Sequence, residues 1–379
     1  MESLQKVQVC TRCVMDTSDP QITFDENGNC NHCTSAIRRM SGIWVGRNSE
    51  NTQRLENMFL RIKEQTAGNK YDGILGLSGG IDSSYVALLA HRYGLKPLAV
   101  HVDAGWNSDE AVSNIHSLVS NLDLDLVTIV IDWQEMRDLQ VAYLKSGLPN
   151  QDVPQDHAFF ASLYKIAAKN KINRVISGGN FSTESILPVS WGYDAMDGKH
   201  LRSVYRKNGT GKLKTYPTIT LPEFWGRNVI MRGLKVETPL NQIHYNKDAA
   251  KQELQKEISW SDYGGKHRES RFTEFFQHYF LPERFGYDKR KAHLSSLIVS
   301  GEISREEALE ELAKPAMTDS EIRRSVKFVE RKLELDSGSI EQFIGMPKPS
   351  YKDYANDDWV HGLVSNQKLA TVARKFLKF

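Results

Sequence analysis

Four cysteines and one glycine-rich turn are the features of this sequence whose residue types and spacing could support chemistry. The cysteines form two pairs, each with two intervening residues, and the two pairs are sixteen residues apart: Cys10, Cys13, Cys30 and Cys33. Two such pairs can place four thiolates tetrahedrally around one Zn²⁺. Four protein ligands leave no open coordination position, so the ion would be structural. An iron–sulfur cluster or unbound thiols are the alternatives.

The glycine-rich turn follows a short apolar segment at residues 71–77 and has the sequence SGGIDSS at residues 78–84. Glycine lets the backbone approach an anion closely, and the start of the next helix offers N–H groups without helical partners. The turn lacks the lysine of the GxxxxGK[ST] loop and does not match GxGxxG. We therefore expect a phosphate-binding turn of another type, with an ordinary tight turn as the alternative.

Apolar strand patterns and helical patterns alternate around this turn. Strands are predicted at 71–77, 98–103, 124–131 and 174–177, and helices at 83–93, 110–121, 133–146 and 157–170. This alternation predicts an α/β fold with a Rossmann-like parallel sheet and helices on both of its faces. The carboxyl ends of parallel strands share one edge of the sheet, where such folds bind ligands.

The chain divides into three predicted parts. They are an N-terminal zinc-ribbon module at 1–45, the α/β domain at 46–245 and an α-helical C-terminal subdomain at 246–379. Within the last part, Ser304 with Glu307 and Thr318 with Glu321 form two capping boxes, each predicted to begin a helix. Residues 181–245 are irregular, and an Asn-Gly pair at 208–209 predicts a β-hairpin there.

The sequence SGGIDS at 78–83 resembles the SGGxDS pyrophosphate loop of the PP-loop ATP-pyrophosphatase superfamily. These enzymes cleave ATP to AMP and pyrophosphate while they adenylate a carbonyl oxygen. The end of the second strand and a G-x-N…E element after the fourth strand also resemble the superfamily. The resemblance implies an ATP and pyrophosphate site made of Ser78, Gly79, Gly80, Asp82, Ser83, Ser84, His101, Val102, Asp103, Gly178, Gly179 and Asn180.

Two carboxylates, Asp82 and Glu184, are the predicted catalytic residues and Mg²⁺ ligands. Mg²⁺ prefers one or two carboxylates together with phosphate oxygens. The alternatives are a helix-capping role for Asp82 and a solvated loop position for Glu184. Four residues after Gly264-Gly265 could bind phosphate or substrate, with a solvated surface helix as the alternative: Lys266, His267, Arg268 and Arg271.

The cysteine segment, the glycine turn and residues 263–301 look like the N-acetyl sugar amidotransferases of bacterial O-antigen and related surface-sugar synthesis. This resemblance implies ATP-dependent conversion of an N-acetyl group on a nucleotide-linked sugar into an acetamidino group. A glutaminase needs a reactive cysteine, and all four cysteines are assigned to zinc. The resemblance then implies that ammonia comes from a partner pair similar to the glutaminase and barrel cyclase of histidine synthesis.

Charge and hydropathy argue against several other classes of function. Lys and Arg total 49 against 47 for Asp and Glu, so we expect no nucleic-acid partner. The sequence has neither a signal-like start nor a long apolar run, so we expect a cytoplasmic protein with no membrane contact. The alternative functions are a PP-loop tRNA-modifying enzyme of the thiolation type and a non-enzymatic zinc-ribbon adaptor. Thiolation is disfavoured because no cysteine follows Cys33.

Overall fold

A parallel sheet of five strands lies at the centre of the computed structural model, which describes residues 7–41, 44, 52–262 and 269–365. The strands are β1 (Gly73–Gly76), β2 (Pro97–Asp103), β3 (Leu126–Val130), β4 (Arg174–Ile176) and β5 (Lys235–Glu237). Their order is β3-β2-β1-β4-β5, and every pair is parallel. The four predicted strands are confirmed. The edge strand β5 was missed because it is three residues long and two of them are charged.

Helices cover both faces of the sheet, as predicted. One face carries α2 (Gln53–Gln65), α3 (Ile81–Arg92) and α4 (Asp109–Leu122), and the other carries α6 (Val153–Lys169) with a π-helix at Glu223–Met231. Neighbouring β1 residues show the alternation expected of a strand, since Leu75 is buried in the first core and Ile74 in the second. A further helix, α5 (Trp133–Ser146), packs against the C-terminal helices.

The helix α9 (Lys247–Ile258) packs on α3 in the same core as β1. Its residues Ala250, Leu254 and Ile258 are buried there. The first helix of the predicted C-terminal subdomain therefore shares a core with the sheet.

The predicted hairpin at 208–209 is wrong, because these residues end the helix α8 (Gly198–Asn208). The Asp197 carboxylate caps the start of α8 by accepting hydrogen bonds from two backbone N–H groups, and Gly209 is the C-cap. Buried residues at helical spacing, Leu201, Val204 and Tyr205, hold α8 against the core. An Asn-Gly pair suits a helix end as well as a hairpin turn.

The C-terminal region is helical, as predicted. It contains α10 (Arg271–Phe275), a π-helical turn (Phe276–Phe280), α11 (Leu281–Phe285), α12 (Lys289–Ser300), α13 (Arg305–Ala313), α14 (Asp319–Lys332), α15 (Ser339–Gly345) and α16 (Trp359–Ser365). The capping boxes at the starts of α13 and α14 are confirmed, with both reciprocal hydrogen bonds formed. Across the described residues, no helix combines the length and the apolarity that a membrane crossing requires.

Candidate functional site

The glycine turn joins β1 to α3 and can only be made with glycine at position 79. Gly79 has a φ of +80°, and a Cβ there would lie 2.4 Å from the carbonyl oxygen of Ala111. The Gly79 carbonyl accepts hydrogen bonds from Trp260 Nε1 (3.2 Å) and Asn114 Nδ2 (3.3 Å). These two donors hold the backbone of the turn in place.

Polar groups of the turn converge at the start of the 12-residue α3. The Ser78 and Ser83 hydroxyl oxygens are 3.2 Å apart, and the Gly80 N–H donates to Ser78 Oγ at 3.2 Å. A bound anion could replace these internal hydrogen bonds by accepting hydrogen bonds from the same groups at the positive end of the helix. Ser84 does not join this group, since its side chain is fully buried within α3.

The segment after β4 lies directly against this turn. A Cβ on Gly178 would be 3.0 Å from the carbonyl carbon of Asp82, and Asn180 Nδ2 donates to Asp82 Oδ1 at 3.4 Å. Asn180 also caps α7 (Phe181–Glu184) by accepting from the Thr183 N–H at 3.0 Å. Two predicted motifs that are distant in sequence therefore meet between β1 and β4. The strand order reverses there, which is where open α/β sheets bind ligands.

Asp82 and Glu184, the predicted carboxylates, both border the Gly178–Gly179 segment. Gly80 occupies the N-cap position of α3, so Asp82 is not that cap. Its carboxylate instead accepts a hydrogen bond from the Tyr245 hydroxyl and lies 3.4 Å from Lys247 Nζ. Glu184 is exposed at the end of α7, with Oε2 3.9 Å from where a Cβ on Gly179 would lie.

Tyr245 and Lys247 were missed by the sequence analysis. No spacing pattern connects them to Asp82, which lies more than 160 residues earlier in the chain. Only the packing of α9 on α3 brings them to the carboxylate. The sequence indicated these two site residues only by a polar aromatic residue and a basic residue next to the start of a predicted helix.

The three residues at the end of β2 that belong to the predicted ATP site lie in different environments. His101 is buried, with Nδ1 2.9 Å from the Leu77 carbonyl and Nε2 3.1 Å from Asn107 Nδ2, so both ring nitrogens are engaged within the protein. Val102 is partly buried between two cores. Asp103 faces a cleft of about 310 Å³ lined by Asp103, Gly105, Val130, Ile131, Trp133 and Lys332. Of the three residues, Asp103 is the one that offers a polar group to open space.

The predicted basic group is described only at Arg271, because Lys266, His267 and Arg268 lie outside the described residues. Arg271 begins α10, and its guanidinium lies 3.6 Å from the Asp109 carboxylate and over the ring of Phe328. The Arg271 N–H donates to the Trp106 carbonyl at 2.9 Å. Arg271 thus lies beside the start of α4, the helix that packs behind the glycine turn.

Asp156, in the first turns of α6, is a further carboxylate that the sequence analysis missed. Phe159, one turn later, contacts Gly76 at the end of β1, so Asp156 lies at the carboxyl edge of the sheet. Desolvation by the surrounding protein atoms and the nearby negative charge of Asp152 raise the pKa of Asp156 to about 7, and the positive charge of Lys289 and the solvent exposure of the side chain oppose this. The signal in the sequence was two aspartates four residues apart at a helix start, which share one helix face.

The four cysteines form one fully buried cluster. The Cys10 and Cys33 sulfurs are 3.8 Å apart, and the Cys13 and Cys30 sulfurs are 3.6 Å apart. These distances are too long for disulfides but agree with a tetrahedral zinc site, in which 2.3 Å Zn–S bonds give sulfur–sulfur edges of about 3.8 Å.

Backbone donors also fit a metal-bound thiolate at Cys10. The Cys13 and Cys30 N–H groups donate to Cys10 Sγ at 3.4 and 3.1 Å. His32 bonds to Asp19, so it is not a fifth ligand. The cluster therefore fits a closed, four-coordinate metal site.

Two protein families match separate parts of the chain. Residues 53–216 match the family described as NAD synthase, and residues 269–366 match the C-terminal domain of the LPS biosynthesis protein WbpG-like family. The first match covers the glycine turn and the segment after β4. The second covers most of the C-terminal helices.

Curated relatives match over a short region. The GMP synthase [glutamine-hydrolyzing] of Aliivibrio salmonicida is 38% identical over 89 residues, and that of Vibrio atlanticus is 46% identical over 90 residues. Each match covers 23% of this chain and 16% of the relative, so the chain spans about a sixth of these enzymes' length.

Solved structures overlap more of the chain at low similarity. NMN synthetase from Francisella tularensis is 14% identical, covering 76% of this chain and 98% of that chain at a TM-score of 0.35. NH3-dependent NAD synthetase from Campylobacter jejuni is 18% identical, covering 79% and 99% at a TM-score of 0.34. The fold assignment rests on the strand order and the NAD synthase family match.

Proposed function

We propose that this chain, whose residues 53–216 match the NAD synthase family and whose residues 269–366 match the WbpG-like C-terminal domain, is an ATP-dependent amidotransferase of the PP-loop superfamily. Its proposed substrate is a nucleotide-linked N-acetyl sugar of lipopolysaccharide O-antigen or related glycan synthesis. The product carries an acetamidino group in place of the N-acetyl group. The observation that best supports this function is the contact of the Gly178–Asn180 segment with Asp82 at the start of α3.

The proposed reaction has two steps. The amide oxygen of the acetamido group attacks the α-phosphorus of ATP, the bond to pyrophosphate breaks, and the amide nitrogen loses its proton. Ammonia then adds to the imidate carbon, the C–O bond to AMP breaks, and an amidine remains. Because AMP is a far better leaving group than oxide, the first step makes the second possible.

The residues of the turn have distinct proposed roles in adenylation. The Gly80 N–H and the Ser78 and Ser83 hydroxyls bind the departing pyrophosphate at the start of α3. Asp82 and Glu184 hold Mg²⁺, which neutralises phosphate charge as it develops. Tyr245 and Lys247 orient the Asp82 carboxylate. Catalysis then comes chiefly from positioning and charge stabilisation.

The cysteine cluster is proposed to bind Zn²⁺ in a structural role. Its four sulfurs would occupy every position of the metal, so the metal itself has no open site for substrate. Because these are the only cysteines in the sequence, no thiol remains for glutamine hydrolysis. Ammonia is therefore proposed to come from a separate glutaminase, docked through a barrel cyclase-like protein.

An assay with a panel of candidate sugars tests the proposed function. The purified protein is incubated with ATP, Mg²⁺, an ammonium salt and UDP- or CMP-linked acetamido sugars, and the products are followed by mass spectrometry. We expect AMP formation that depends on one sugar, together with exchange of one oxygen for NH in that sugar. ATP consumption that depends on tRNA and not on any sugar would support the thiolation alternative instead.

A further inference from the structure

The segment that follows Glu184 is bonded to the cysteine module. In that module, Arg39 of α1 (Asn31–Met40) donates from its guanidinium to the Ser185 carbonyl. The Ser190 hydroxyl donates to the Asp19 carboxylate. Two residues of the same segment, Ile186 and Trp191, are buried in one apolar cluster with all four cysteines. The module is thus in direct contact with the chain next to a predicted Mg²⁺ ligand.

The helix α12 provides a second connection between the cysteine module and the chain around Glu184. On the side of the cysteine module, the Val14 N–H donates to Ser295 Oγ at 3.2 Å. Just beyond α12, the Arg305 guanidinium of α13 donates to the carbonyls of Cys10 and Cys13, both at 3.1 Å. The backbone of the first cysteine pair is therefore fixed to the C-terminal helices.

The same helix α12 also bonds to the chain on either side of Glu184. Ser296 Oγ accepts from the Ile186 N–H at 3.0 Å, and Ser300 Oγ donates to the Ser182 carbonyl at 3.3 Å. The helix α7 has only four residues and cannot hold its own position through helical hydrogen bonds. Its placement depends on these contacts from α12 and from the cysteine module, together with the Asn180 cap and the bond from the Phe181 N–H to Asn241 Oδ1.

We propose that the cysteine module positions Glu184 for the Mg²⁺ that accompanies ATP, with Arg39 and Asp19 as positioning residues. The proposal rests on the proposed function, since that function gives Glu184 its metal. Binding of one ion by the four sulfurs would hold the module in one conformation. The hydrogen bonds to Ser185 and Ser190 would then restrict the movement of α7. Asp82 is also held by Tyr245 and Lys247 of the α9 region, besides its bond from Asn180, so we expect the effect to be larger at Glu184 than at Asp82.

Adjacent arginines on α1 provide a matched comparison. Both side chains are exposed at the end of the same helix, and it is Arg39 that donates to the Ser185 carbonyl. The full chain, as wild type, Arg39→Ala, Arg39→Lys and Arg38→Ala, is titrated with a non-hydrolysable ATP analogue at increasing Mg²⁺ concentrations. Zinc content and thermal unfolding of each variant are measured in parallel, which separates a positioning effect from loss of the module.

We expect Arg39→Ala to keep its metal and to need about tenfold more Mg²⁺ for half-maximal binding, the scale of losing one charge-assisted hydrogen bond. Binding of the analogue without Mg²⁺ should be unchanged, because the glycine turn is not touched. Arg39→Lys should recover part of the loss, since an ammonium can still donate to the Ser185 carbonyl. Arg38→Ala should behave as wild type.

Unchanged Mg²⁺ dependence in metal-loaded Arg39→Ala would overturn the proposal. If Arg39→Ala lost its metal, the test would be repeated with Ser190→Ala, which removes the bond to Asp19 by a change outside the module. Unchanged Mg²⁺ dependence in Ser190→Ala would also overturn the proposal. The binding titration needs no sugar. A wild-type protein that binds Mg²⁺ and the analogue but modifies no acetamido sugar would contradict the proposed reaction alone.

Discussion

At the scale of single residues, Asp82 tests the proposed adenylation step most directly. Asp82→Asn keeps the size of the side chain and its hydrogen-bond acceptor for Tyr245, but removes the charge that faces Lys247. We expect AMP formation to fall by at least ~10²-fold, the scale of losing one preorganised charge contact, with little change in thermal unfolding. Near-normal AMP formation would mean that the carboxylate serves only to bind Tyr245 and Lys247.

Gly79→Ala should affect folding as well as catalysis. The new methyl group would overlap the Ala111 carbonyl, and the backbone would have to keep a φ of +80° that alanine disfavours. We expect the free energy of unfolding to fall by about 1–3 kcal/mol, as for one residue held in a sparsely populated backbone conformation. Chemical denaturation measures this loss, and Gly226→Ala, where the added Cβ meets nothing, is the control.

Asp156 should make the stability of the protein depend on pH. The pKa of an aspartate is close to 3.9 in an unfolded chain, whereas desolvation by surrounding protein atoms and the charge of Asp152 raise it to about 7 in the folded protein, an effect that the solvent exposure of Asp156 reduces. The folded state therefore binds more protons between these values, and stability is lost as pH rises through 7. Asp156→Asn cannot ionise, so it should be more stable than wild type at pH 8 and similar to it near pH 4.

Melting temperatures at constant ionic strength measure this difference. Asp319→Asn, an exposed aspartate in the first turn of α14, is the control and should show no comparable dependence on pH. An Asp156→Asn variant no more stable than wild type at pH 8 would show that the carboxylate is well solvated. If the Asp156→Asn variant is both more stable and less active than wild type, the Asp156 carboxylate contributes to function and lowers the stability of the protein.

At the scale of structural elements, the cysteine module should depend on its metal to fold. Its only helix in the described residues, α1, buries three side chains, and four of the nine buried residues in the cluster around it are the cysteines themselves. Cys13→Ser should therefore lose the metal and lower the melting temperature, because metal binding and folding of such a module are coupled.

Metal analysis distinguishes the candidate ions. We expect about one zinc per chain and no visible chromophore, as four thiolates around a structural Zn²⁺ require. Iron with a visible absorption band would instead indicate a cluster. Because the module contacts the segment after Glu184, loss of the metal should also weaken Mg²⁺-dependent ATP binding.

At the scale of the whole molecule, the proposed function can be tested through the source of its ammonia. All four thiols lie in one buried cluster, so the chain has no cysteine nucleophile for glutamine. The purified chain should use ammonium salts but not glutamine, with activity rising with pH as the NH₃ fraction grows. Addition of its glutaminase pair should make glutamine a substrate.

Isotope-labelled glutamine gives the decisive measurement. With the pair present, labelled nitrogen should enter the amidine even when unlabelled ammonium is in excess, because ammonia passes between the proteins. If the chain alone formed glutamate and amidinated sugar from glutamine, the assignment of all four cysteines to the metal would be wrong.

The sequence alone predicted the features that depend on local pattern. The alternation of apolar runs and helical patterns predicted four of the five strands and the helices between them, and two capping boxes marked the starts of α13 and α14. The cysteine spacing predicted the four-sulfur cluster, and the SGGIDS turn identified the start of α3. In each case, a few neighbouring residues contain enough information to determine the structure.

Only the tertiary structure decided which distant residues meet. Tyr245, Lys247 and Trp260 reach the glycine turn because α9 packs on α3, and Asp156 reaches the same sheet edge because α6 packs on β1, with Phe159 against Gly76. A side-chain contact across more than a hundred residues leaves no periodic pattern in the sequence. Local propensity also allowed both a hairpin and a helix end at Asn208, and burial of Leu201 and Val204 in the core selected the helix.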